Sequence, residues 1–197
     1  MSDLHLHTPR AGQVAARVFE PPAGVPVTLQ VVIGPAMGVP QRHYADFAAW
    51  AAGQGVRVLT FDYRGQGASL ALLAHRRLRQ VDADLSDWSA DYEAATRHLH
   101  ARAPELPLLL LGHSLGAQLP GLFERTDHIA GLLAVAAGSG YWRENAPQLR
   151  KRVLLLWHGM VPLLTPLFGY FPGRRLGAVG DLPAGVIRQW RRWCLHP

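Results

Sequence analysis

The stretch Gly112-His113-Ser114-Leu115-Gly116 decides the fold. An apolar run, Leu106-Pro107-Leu108-Leu109-Leu110-Leu111, leads directly into it. A small-residue stretch of helical character, Ala117 to Phe123, leads directly out. Strand in and helix out demand a sharp turn at the serine, whose backbone is pushed into strained φ/ψ. A side chain at either flanking position would collide with the neighbouring strand or helix. Gly112 and Gly116 remove those collisions, and Ser114 is lifted clear at the top of a sheet. The Leu115 N–H then sits at the start of the next helix, where it can face negative charge. A chance pentapeptide in a glycine-rich chain is the competing reading, and the strand-before, helix-after context argues against it.

The same alternation extends in both directions. Upstream, Leu4 to His7 and Val14 to Phe19 alternate apolar with polar or small residues, with Pro9 and Gly12 between them, which predicts an opening hairpin. Val27–Ile33 reads as a strand ending at Gly34-Pro35, and Val56–Phe61 as a buried strand. Gln41–Ala52 reads as a helix with Tyr44, Phe47, Ala48 and Ala51 on one face. The longest helix spans Asp82–Arg102, where Leu85, Trp88, Tyr92, Ala95 and Leu99 recur at helical spacing. Downstream, Ile129–Ala137 is a further strand and Val186–Leu195 a short helix. Strands alternating with helices imply a parallel sheet covered on both faces.

A length of 197 residues fits one folding unit, and nearly half the residues are hydrophobic, enough for a substantial core. The net charge is +6, carried almost entirely by arginine, with Lys151 the single lysine. The basic residues do not interleave with aromatics in a groove-like pattern, so no nucleic acid is expected as a partner. One cysteine, Cys194, excludes an internal disulfide and suits a reducing cytoplasm.

Phe61-Asp62-Tyr63-Arg64-Gly65-Gln66-Gly67-Ala68-Ser69 comes just after a strand end, and Asp62 can hydrogen-bond the backbone of the turn. Placed between the Val27–Ile33 strand and Ser114, it resembles the F-D-x-R-G-x-G-x-S segment of α/β-hydrolases. Three segments match that superfamily in order: the Gly34-Pro35-Ala36-Met37-Gly38 loop, the Asp62–Ser69 loop and the Ser114 turn. The chain looks most like the lysophospholipase or serine-aminopeptidase branch. That resemblance implies an α/β fold, with a mostly parallel doubly wound sheet, an N-terminal hairpin and a helical cap. It implies that Ser114 is the nucleophile of a serine hydrolase acting on ester or related acyl bonds of a small-molecule acyl substrate, with no cofactor or metal. The oxyanion hole would combine the Leu115 N–H with one from the loop after the third strand. There the family often has a His-Gly pair, whereas this chain has Pro35-Ala36, and proline has no N–H to give. By position Met37 is the donor, with Gly38 letting the loop turn; a packing role for Met37 is equally open.

The family order is serine, acid, histidine, the last two on loops after later strands. The residues beyond Ala137 do not read as two more strand–helix units. The sequence therefore resembles the first two-thirds of such a hydrolase, with residues 1–141 as core and 142–197 as helical cap. The C-terminal strands are expected to be missing, the chain ending before the acid and histidine loops. Asp127 and His128 precede a strand at its amino end, His158 lies in the cap, His196 is terminal, and His113 points away from the nucleophile. No base is assigned, and a non-catalytic protein binding apolar ligands is the alternative. Val153 to Phe171 is apolar with Arg150-Lys151-Arg152 before it and Arg174-Arg175 after it. Gly159, Pro162, Pro166 and Gly169 break it into pieces too short to span a bilayer, so short amphipathic helices that can touch a membrane surface are expected. The Ile129–Ala137 strand is expected to be a sheet edge, which invites self-association.

Overall fold

A computed structural model describes residues 1–9, 12–73, 77–177 and 179–196. Strands β1 (Ser2–Thr8) and β2 (Gly12–Phe19) form the opening hairpin, registering Ser2 with Val18 and Thr8 with Gly12. After β3 (Leu29–Gly34) come α1 (Ala45–Gly53), β4 (Val56–Phe61), the short α2 (Ser69–Leu72) and the long α3 (Leu85–Arg102). Strand β5 (Leu108–His113), helix α4 (Leu115–Gln118) and strand β6 (Gly131–Val135) come next. The chain then becomes helical through α5 (Pro147–Leu155), a π-helical turn Leu156–Met160 and α6 (Val161–Phe168). A two-residue-deep hairpin of β7 (Tyr170–Phe171) and β8 (Leu182–Pro183) leads into α7 (Ala184–Leu195).

The main sheet runs β1-β2-β4-β3-β5-β6. The hairpin is antiparallel to itself and to β4, while β4, β3, β5 and β6 are mutually parallel. Val32 lies between Leu59 and Leu110, and Leu110 lies beside Leu132, so one apolar row crosses the parallel strands. One face packs Ile33, Val58 and Phe19 under Tyr44, which precedes α1, and under Ala48, Ala51 and Ala52 of α1. The other face carries the larger core, in which Trp88 stacks on Tyr63 at 4.6 Å and Phe61 meets Tyr92 at 5.3 Å. Helix α7 joins that core through Val186, Ile187 and Cys194.

Several expected boundaries shift, each for a local reason. The expected helix from Gln41 begins as a 3-10 turn, Gln41–Tyr44, and becomes α-helical at Ala45. Phe47, expected on the buried face, is exposed, with its ring 5.7 Å from that of Trp50. Helix α3 begins at Leu85, because Asp84 is its N-cap: its carboxylate accepts from the Ser86 and Asp87 N–H groups, and Asp87 reciprocates on the Asp84 N–H. The expected helix Ala117–Phe123 is shorter than its sequence suggests. It is α-helical only to Gln118 and then tightens to a 3-10 turn, Leu119–Leu122, where Pro120 supplies no N–H.

Among the described residues no strand pairs with the outer side of β6, and Leu132, Leu133 and Val135 on it are exposed. Behind the sheet, Arg64 is a buried knot. Its guanidinium holds Asp91 at 2.6 Å and Asp87 at 3.0 Å, and donates to the Thr8 hydroxyl and the Pro9 carbonyl. It thereby fastens the hairpin and the loop after β4 to α3.

Candidate active site around Ser114

Ser114 sits between β5 and α4 with φ 52° and ψ −116°, a conformation an L-residue holds only when its surroundings enforce it. The enforcement is visible on both sides. A Cβ on Gly112 would lie 2.4 Å from the Ala117 Cα, and one on Gly116 would lie 2.1 Å from the Gly34 carbonyl oxygen. These contacts are backbone to backbone, so no rotamer change relieves them. The Ser114 N–H donates to the Val135 carbonyl at 2.9 Å, which ties the turn to β6. Its side chain is half-buried, within reach of a ligand.

The loop after β3 lies directly against this turn, since Gly34 and Pro35 carbonyls face Gly116. Met37 is 5% exposed and its side chain belongs to the main core, while its N–H has no acceptor among the described residues. The Leu115 N–H, at the first position of α4, likewise has no intrahelical acceptor. Because α4 is only four residues long, any attraction for an oxyanion there comes from these local N–H dipoles rather than from a long helix. Gly38, at φ 72°, packs against Gly180, where a Cβ would meet backbone at 2.5 Å. Gln66 donates to the Asp181 carbonyl at 2.9 Å. Gly180 and Asp181 thus lie against the loop after β3 and the loop after β4 respectively.

Asp62 orders the second loop as its sequence suggests. Its carboxylate accepts from the Ala68 N–H at 2.9 Å and the Gln41 N–H at 2.7 Å, and a Cβ on Gly67 would strike it at 2.3 Å. One link is not legible in the sequence. The Tyr44 hydroxyl accepts from the Ala36 N–H at 2.9 Å and lies 2.9 Å from His113 Nδ1. The phenol oxygen thus bridges a backbone N–H and an imidazole nitrogen. Tyr44 therefore spans from the residue before Met37 to the residue before Ser114. No local pattern announces it, because the two ends meet only once β3 and β5 are paired.

The histidines and acids after Ser114 are not brought to its hydroxyl. His128 lies at the amino end of β6 with its ring 5.1 Å from that of His100, and burial pushes its pKa below the usual histidine value. Asp127 pairs with Arg125 at 2.9 Å. Glu144 accepts from the Ser139 hydroxyl, and Asp181 accepts from the Arg174 N–H at 3.1 Å. His158 and His196 are exposed. Among the described residues, the Ser114 hydroxyl has no imidazole or carboxylate partner, and no cluster of three or more His, Cys, Asp or Glu is arranged to hold a metal ion.

A mostly parallel sheet with a strained serine between strand and helix defines the α/β-hydrolase class. Residues 26–178 match the family model of serine aminopeptidases of type S33, and the chain belongs to that family. Solved structures agree on the fold. A thermostable carboxyl esterase from Bacillus coagulans superposes with a TM-score of 0.59 at 20% identity, over 87% of this chain and 56% of its own. A soluble variant of monoglyceride lipase from Saccharomyces cerevisiae gives 0.63 at 16% identity, over 85% and 54%. Mouse α/β hydrolase domain-containing protein 10 gives 0.57 at 15%, over 99% and 71%. The chain thus spans little more than half the length of the esterase and the lipase. No curated protein matches the sequence.

Proposed function

We propose that this chain acts as a serine hydrolase on ester or related acyl bonds of small molecules, with Ser114 as nucleophile. The observation that carries the reading is the positive-φ serine locked between two glycines that admit no side chain. In the step proposed, Ser114 Oγ bonds to the acyl carbon as the carbonyl π electrons move onto oxygen. The Leu115 and Met37 N–H groups receive that charge. Residues 142–197 act as a cap over the 1–141 core, and the buried free thiol of Cys194 suits a cytoplasmic setting. No imidazole among the described residues is placed to take the hydroxyl proton, so water takes it. The expected turnover is about 10⁴-fold or more below that of a complete triad. A fluorophosphonate, whose phosphorus exchanges fluoride for the serine oxygen, tests this: it should label the wild type and spare Ser114→Ala. Failure to label the folded protein, or equal labelling of the variant, defeats the reading.

The lone hydroxyl favours one second reading, a non-catalytic protein that binds apolar ligands. It expects long-chain esters to raise the melting temperature of wild type and Ser114→Ala alike, with no product formed.

A further inference from the structure

We propose that the run from α5 to α6 is a docking face for an anionic lipid surface. The face is built by helical spacing. Trp157, Val161 and Thr165, four residues apart, turn inward and are at most 3% exposed. On the opposite side Leu155, Leu163 and Leu167 fall on one stripe, with Gly159 at the intervening position, and they are 63%, 68% and 72% exposed. These are among the most exposed large apolar side chains of the protein, and they lie in a row rather than scattered. Pro162 and Pro166, also exposed, widen the stripe.

Charge selects the occupant. Residues 145–197 hold eight of the twenty Arg and Lys against a single acid, Asp181, although the rest of the chain is close to neutral. Several of these cations border the stripe. Arg188 and Arg191 of α7 share with Pro162 and Pro166 a shallow cavity of about 230 Å³. Lys151 and Arg152 stand exposed one turn before Leu155, and the Arg175 guanidinium sits over the Phe168 ring at 5.4 Å. Leucines rimmed by Arg and Lys, without interspersed carboxylates, fit the boundary between acyl chains and acidic headgroups. The contact is peripheral, since no helix among the described residues is long and apolar enough to cross a bilayer. The proposal is independent of any chemistry at Ser114.

Co-sedimentation of the full chain with phosphatidylcholine vesicles, with and without phosphatidylglycerol, tests it. The protein should sediment with the anionic vesicles and about tenfold less with the neutral ones. Raising NaCl from about 0.1 M to about 0.5 M should weaken binding. Leu163→Ser with Leu167→Ser should lower partitioning about tenfold at an unchanged melting temperature, and Lys151→Gln with Arg152→Gln should lower it less. Both pairs alter exposed side chains, so folding should persist. Three results would overturn the proposal. One is no sedimentation with anionic vesicles at low salt. Another is leucine variants that bind as the wild type does, which would mean diffuse charge adsorption. The third is an oligomer in light scattering that these leucine changes dissociate, which would make the face a contact between copies of this chain.

Discussion

At Ser114 the backbone is bent by its neighbours, and the neighbours are the place to test it. Gly116→Ala puts a methyl 2.1 Å from the Gly34 carbonyl, against backbone that must move as a unit. We expect a loss of about 1–3 kcal/mol in urea unfolding, together with slower fluorophosphonate labelling because the loop bearing Met37 is displaced. Tyr44→Phe keeps the ring in the core and removes only the hydroxyl that joins Ala36 to His113. It should cost about 1–3 kcal/mol, as the buried Ala36 N–H and the half-buried His113 ring lose their partner. Cys194 makes a separate expectation. Burial raises its thiol pKa to about 12, so a thiol reagent at mildly alkaline pH should leave the native protein unmodified and react once urea unfolds it. The legible residues are those whose constraint is local. Gly112, Ser114 and Gly116 state their geometry within five positions, as do Asp62 and Gly67 within six. Tyr44 is not legible, because its role depends on strands far apart in sequence.

Element by element, the long periodic segments are legible in kind and the short ones are not. Helix α3 shows an unbroken apolar face and an acidic cap, and only its start differs from the spacing-based expectation. Helix α4 is shorter than its composition suggests, since a run of small residues carries little face information and Pro120 ends the regular bonding. The β7–β8 hairpin pairs only two residues on each side, too few for an alternation to show. Two predictions belong here. Asp91→Ala would leave Arg64 with one fewer carboxylate in a buried knot, and a loss of about 3–5 kcal/mol is expected by chemical denaturation. The helix α3 histidine His98, and His128 beside α3, both have pKa values lowered chiefly by burial. The unfolded chain therefore takes up protons near pH 6.5 that the folded chain resists. Stability should be full above that value and decline as the pH falls below it, and His128→Gln should flatten the decline in a urea titration series.

For the whole molecule, the class of fold is legible from three ordered loops, and the architecture around residues 142–183 is not. That segment joins the main core through Trp157, Val161, Phe171 and Leu182, but where it seats is set by long-range contacts, Gly38 with Gly180 and Gln66 with the Asp181 carbonyl, which leave no local pattern. Among the described residues β6 has no partner on its outer side, and that edge with its exposed leucines favours pairing between molecules. We expect the apparent mass in light scattering to rise with concentration, and a Leu133→Lys variant to reduce that rise.

The apposition of Gly38 and Gly180 reaches further than its size suggests. Two parts of the chain more than a hundred positions apart share one narrow seam, and neither tolerates even a methyl there. A chimera that grafted a foreign segment after β6 onto this scaffold would inherit the seam as a design constraint. The donor would have to bring a residue as small as glycine to that single point, however well the remainder of its surface matched.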